Sequence, residues 1–117
     1  MTPEEHFAGH PVALAVYAAV RGLWDDGTVE VRTSRSQVAF RRRRGFAYLW
    51  LPGRYLRNPG AEVVLSVVLG RRDDSPRWKE VGHPSPAHWM HHLEVHDVEE
   101  IDDEVIGRLR EAAERAG

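Results

Sequence analysis

Ser36-Gln37-Val38-Ala39-Phe40-Arg41-Arg42-Arg43-Arg44-Gly45-Phe46-Ala47-Tyr48-Leu49-Trp50-Leu51 decides the fold of this 117-residue chain. Both ends are rich in aromatic and aliphatic residues at strand length, over residues 37–42 and 46–51. Arg43, Arg44 and Gly45 between them have the length of a tight hairpin, with glycine available for a positive backbone angle. Two antiparallel strands begin a sheet, and the rest of the chain must extend it and cover it.

Upstream, Val29 and Val31 alternate with Glu30 and Arg32, the period of a half-buried strand. Residues 12–24 place Ala13, Val16, Tyr17, Val20 and Trp24 on one helical face, and Asp25, Asp26 and Gly27 end the helix. Thr2 before Pro3, Glu4 and Glu5 reads as the cap of a short first helix. Downstream, Pro52, Gly53, Asn58, Pro59 and Gly60 mark a loop. Residues 62–69 are apolar at both parities apart from Glu62 and Ser66, as in a strand at the centre of a sheet. Gly70, Pro76, Gly82, Pro84 and Pro86 make residues 70–88 a long loop. A fifth strand over 89–95 leads to a terminal helix over 102–116, with Ile101, Val105, Leu109, Ala112 and Ala116 facing inward. The expected architecture is α+β: a mostly antiparallel five-stranded sheet with the N-terminal and C-terminal helices on one face, in one domain spanning 1–117.

The formal net charge of −2 hides a segregated distribution. Between Arg32 and Arg57 stand eight Arg and no Asp or Glu, whereas residues 94–117 hold nine acidic residues against three Arg. A patch of one sign needs an anionic partner or the acidic C-terminal segment to answer it. The absence of cysteine excludes disulfides, thiolate metal sites and cysteine nucleophiles. The N-terminus lacks the basic and apolar regions of a signal peptide, and no apolar run approaches the ~20 residues of a membrane span, so a cytoplasmic protein without membrane contact is expected.

Residues 44–51 loosely follow the nucleic-acid-binding strand pattern of basic, glycine, aromatic, small, aromatic. Phe46 and Tyr48, spaced by two, would share one face and stack bases while Arg41, Arg42, Arg43 and Arg44 meet phosphates. Alternatively the aromatics pack the sheet and the arginines pair with the acidic terminal helix. His92, Glu94 and His96 alternate along the fifth strand, but a polar strand face accounts for them and no metal is expected. Arg71, Arg77 and Trp78 lie in the long loop beside Asp73, Asp74 and His83, where acid, base and anion-binding groups could converge. No nucleophile elbow or phosphate-cradling glycine motif occurs.

The stretch 36–47, the stretch Asp73-Asp74-Ser75-Pro76-Arg77-Trp78 and the triplet His91-His92-Leu93 resemble a bacterial family of small domains of unknown function. The similarity runs from His6-Phe7-Ala8-Gly9 to the terminal helix. It implies a shared α+β domain and carries no substrate, cofactor or catalytic residue. By side-chain chemistry, Phe40, Trp78 and Leu93 suit a core, and Arg41, Arg77 and His92 suit a surface or cleft.

The leading expectation is a non-enzymatic binding module whose basic, aromatic face recognises an anionic partner, nucleic acid first among them. Its candidate residues are Arg41, Arg42, Arg43, Arg44, Phe46, Tyr48, Trp50, Arg71, Arg77, Trp78 and His92, and no cofactor is implied. A self-associating protein-interaction domain, forming a homodimer, and a small enzyme acting on an anionic substrate are the alternatives.

Overall fold

The computed structural model describes residues 1–117. The chain runs α1 (Pro3–His6), α2 (Pro11–Arg21), β1 (Glu30–Thr33), β2 (Val38–Arg41), β3 (Gly45–Trp50), β4 (Val63–Leu69), β5 (Glu80–Ser85), β6 (His88–Val95) and α3 (Asp103–Arg115). Single 3-10 turns occupy Pro52–Arg54 and Val98–Glu100. All strands join one antiparallel sheet in the order β1-β2-β3-β4-β6-β5.

The α+β class and the helices at both ends of the chain agree with the sequence, but the sheet has six strands instead of five. The extra strand is β5, inside the stretch expected to be a long loop. Gly82 and Pro84 interrupt it, and its pairing with β6 shifts register between Gly82 and Ser85. Proline lacks a ladder N–H and is tolerated here because β5 is an edge strand.

β4 lies inside the sheet and is buried along its whole length. Val63, Leu65, Val67 and Leu69 join the main core with Ala13, Val16 and Val20 of α2 and Val105, Leu109 and Ala112 of α3. Val64, Ser66 and Val68 point the other way, by the alternation of a strand. At the start of α2, His10 offers no side-chain cap; Glu62, just before β4, accepts the Ala13 N–H at 2.9 Å. A long-range carboxylate thus satisfies an orphan donor at the helix N-terminus, where negative charge is favoured.

The hairpin departs from its expected form. Phe40 opposes Ala47 while Arg41 opposes Gly45, which leaves Phe46 as the additional residue of a β-bulge. Phe46 turns into the core, 1% exposed, with its ring edge-on to Trp24 at 5.3 Å. Tyr48 remains on the opposite face, so Phe46 and Tyr48 do not share a stacking surface. Gly45 has no positive φ; only Gly9 and Gly27 do. Its missing side chain serves Tyr48 instead, because a Cβ at 45 would collide with the tyrosine hydroxyl.

Phe46→Ala and Tyr48→Ala should therefore differ in urea unfolding. Emptying the buried Phe46 site costs about 3–5 kcal/mol, and removing the half-buried Tyr48 ring about 1–2 kcal/mol. Equal losses would contradict the bulge.

Candidate functional site

The register of the sheet lines up Ala39, Tyr48, Ser66, His92 and Glu80 across successive strands on the face away from α2 and α3. Trp50, Val64 and Glu94 form the adjacent row, and Met90 pairs with Val68. Tyr48, Trp50, Ser66, Met90 and His92, joined by Ser36, Gln37 and Tyr55 from two loops, line a hollow of about 520 Å³. A smaller hollow of about 190 Å³ shares Trp50 and His92 and adds Leu56, Glu80 and Glu94.

The floor is held by hydrogen bonds. Trp50 Nε1 donates to Ser66 Oγ at 2.9 Å, and Ser66 Oγ lies 2.7 Å from His92 Nδ1. The rings of Trp50 and His92 meet edge to face at 6.3 Å. Burial lowers the His92 pKa, and the Glu80 carboxylate across the strand pair offsets part of that effect.

Two loops build the wall. Arg54 Nη1 donates to Arg35 O at 2.8 Å and Nη2 to His6 O at 3.5 Å, and the Tyr55 hydroxyl donates to Ser36 O at 3.4 Å. These bonds fasten the β1–β2 turn to the segment after β3. Arg35 and Arg57, carried by these loops, are exposed and form no ion pair.

The arginine run lies elsewhere. Arg42 Nη1 donates to Ala113 O at 3.0 Å, the Arg43 backbone N–H to Ala116 O at 2.9 Å, and Arg44 Nη2 to Arg115 O at 3.3 Å. These donors meet main-chain carbonyls of the last turn, at the negative end of α3. None of Arg41 to Arg44 pairs with an acidic side chain. Arg41 and Arg43 border a shallow polar depression with Thr28 and Glu30.

Arg71, Arg77 and Trp78 are engaged in pinning residues 71–78 to α3. Asp73, 6% exposed, accepts from Arg108 Nε at 2.9 Å, Trp78 Nε1 at 2.8 Å and Arg71 Nη1 at 3.2 Å. Arg71 also grips Glu111 through two bonds, and Arg77 binds Asp102 and Glu104 at 2.9 and 3.0 Å. Fully buried His91 accepts the Asp73 N–H on Nε2 at 2.9 Å, so its Nδ1–H faces the Val67 and Trp89 carbonyls. Of the motif residues, Phe40 and Leu93 are buried and Trp78 is half-buried. His96 lies past the end of β6 and bonds Gly60 O through Nε2 at 2.9 Å, which separates it from His92 and Glu94.

The open face thus gathers Tyr48, Trp50 and His92 from the residues the sequence singled out, and leaves the others elsewhere. Sequence reasoning passed over Ser66, Tyr55, Met90, Arg35 and Arg57. The one available signal was Ser66, the single polar residue inside an otherwise apolar strand.

Burial pushes the Asp73 carboxyl up, but Trp78, Arg108 and the Ser75 N–H outweigh it, and its pKa lies below the ordinary 3.8. A lowered folded pKa contributes stability above the unfolded value that is lost as pH falls through the folded one. Asp73→Ala should cost about 1–3 kcal/mol at pH 7, with the gap to wild type closing below about pH 4. A gap constant from pH 7 to pH 3 in denaturant titrations would contradict the charged network.

No curated protein and no solved structure matches this chain. A family model described as a domain of unknown function, DUF5655, matches residues 4–115, nearly the whole α+β unit from α1 to the end of α3, and the chain belongs to that family.

Proposed function

We propose that this chain is a non-enzymatic binding module whose seat is the open sheet face. A planar ring packs on Tyr48, Trp50 and Tyr55, and an attached anionic group meets Arg35 and Arg57. Nucleic acid supplies both chemistries, with bases for the aromatic hollow and phosphates for the loop arginines. The observation that carries this reading is the aromatic hollow of about 520 Å³ walled by loops whose arginines have no acidic partner. This reading replaces the expected Arg41 to Arg44 and Phe46 with Arg35, Arg57 and Tyr55 and retains Tyr48 and Trp50.

Two features favour binding over catalysis. Ser66 is 2% exposed and already accepts the Trp50 N–H, a poor setting for a nucleophile. Arg71, Asp73 and Arg77 are engaged with Arg108, Glu111, Asp102 and Glu104 at α3 and its start, which commits these acids and bases to structural contacts.

A fluorescent single-stranded oligonucleotide titrated at low and moderate salt tests the proposal. Binding should be salt-sensitive. It should weaken about tenfold in Tyr55→Ala, which removes a 57% exposed ring and its hydroxyl bond to Ser36 O, and stay near wild type in Tyr55→Phe, which loses only that bond. No binding at low salt would contradict the proposal.

Self-association is the second reading, favoured by the neighbouring exposed side chains Tyr55 and Leu56. Sheet extension does not favour it, since edge strand β1 carries Glu30 and Arg32 and edge strand β5 carries Pro84. A strict monomer in sedimentation at high concentration removes it.

A further inference from the structure

One proton arrangement satisfies every group in the hydrogen bonds beneath the hollow. An indole N–H can only donate, so Ser66 Oγ accepts from Trp50 at 2.9 Å. Trp50 and His92 are the only partners of Ser66 Oγ, so the arrangement that uses its single hydroxyl proton directs it at His92 Nδ1, 2.7 Å away. Nδ1 is therefore an acceptor, and the neutral imidazole carries its proton on Nε2. The environment favours that neutral form, because burial lowers the His92 pKa. His91, next in the chain, is fixed in the opposite tautomer by the Asp73 N–H, so the backbone does not impose the choice. His92 Nε2 has no protein partner, yet it is not among the buried side-chain atoms left unbonded, which are the two ring nitrogens of His6. It is open to a ligand, and His92 lines both hollows.

We infer that His92 is the specificity-determining residue of the hollow: its Nε2–H donates to an acceptor on the edge of the bound ring. The site then takes heteroaromatic rings that carry a carbonyl and discriminates against rings of the same shape without one. The aromatic side chains cannot make this distinction, since every base has a π-face. Ser66 acts through His92 as a positioning residue, and Trp50, besides packing on the bound ring, donates to Ser66. This inference rests on the open face being the ligand seat.

The test compares two single-stranded oligomers, one of thymidines and one in which each thymine is replaced by 2,4-difluorotoluene, which keeps the shape and the phosphates but has no carbonyl. Wild type should bind the thymidine oligomer roughly three- to tenfold more tightly, the value of one desolvated hydrogen bond. His92→Phe should remove the preference, and His92→Gln, which keeps an N–H donor, should retain part of it. Ser66→Ala should reduce it and Ser66→Thr restore it, with 15N spectra showing Nε2–H imidazole in wild type and mixed tautomers in Ser66→Ala. Equal affinity of wild type for both oligomers overturns the inference and leaves the binding module standing. A preference that survives His92→Phe also overturns it. Binding of neither oligomer overturns the inference together with the seat on which it rests.

Discussion

The β-bulge at Phe46 divides the aromatic residues of the central hairpin between two environments, and the arrangement of both faces follows from that division. Had β3 kept strict alternation, Phe46 would lie beside Tyr48 and the space next to Trp24 would be empty. The bulge instead places Phe46 edge-on to Trp24 at 5.3 Å, a geometry that suits the opposed charge distributions of ring face and ring edge. Tyr48 and Trp50 remain outside. The same irregularity adjoins the hairpin tip, whose Arg42 and Arg44 donate to carbonyls in the last turn of α3.

Charge segregation along the chain resolves into two separate contacts. The acidic start of α3 and the strand-to-helix connection before it are answered by Arg77, and Glu111 in the middle of α3 by Arg71; both arginines lie outside the acid-free window. The arginine run meets the other end of α3, where the partners are main-chain carbonyls. Arg42 and Arg44 thereby suit the negative end of the helix dipole, as Asp102, Asp103 and Glu104 suit its positive end. Arg35 and Arg57, also without an ion partner, stand on the loops that wall the open face.

Much of this fold is legible in the sequence because periodicity reports burial. The unbroken apolar run of β4 and the inward stripe of α3 read directly, and all of Ile101, Val105, Leu109, Ala112 and Ala116 are buried. β5 was hidden because an edge strand tolerates Gly82 and Pro84, the residues that otherwise signal a loop. The bulge was hidden because Phe46, Tyr48 and Trp50 keep the spacing of a regular strand. The partners of Arg42 and Arg44 had no signature, since backbone carbonyls are the same at every residue. At the candidate site, Tyr48, Trp50 and His92 were legible as residue types, but the Ser66–His92 pairing depends on the register between β4 and β6, and the wall depends on Arg54 reaching Arg35.

The central claim is that the arginine run stabilises α3 while the loop arginines serve the open face. Comparing the melting temperature and oligonucleotide affinity of Arg42→Ala/Arg44→Ala with those of Arg35→Ala/Arg57→Ala tests it most directly. The first pair should lower the melting temperature by several degrees, about 0.3–1 kcal/mol for each lost helix-end contact, and leave affinity unchanged. The second pair should leave the melting temperature in place and weaken binding with a shallower salt dependence. The reverse assignment, with binding lost in the first pair at unchanged stability, would contradict the claim.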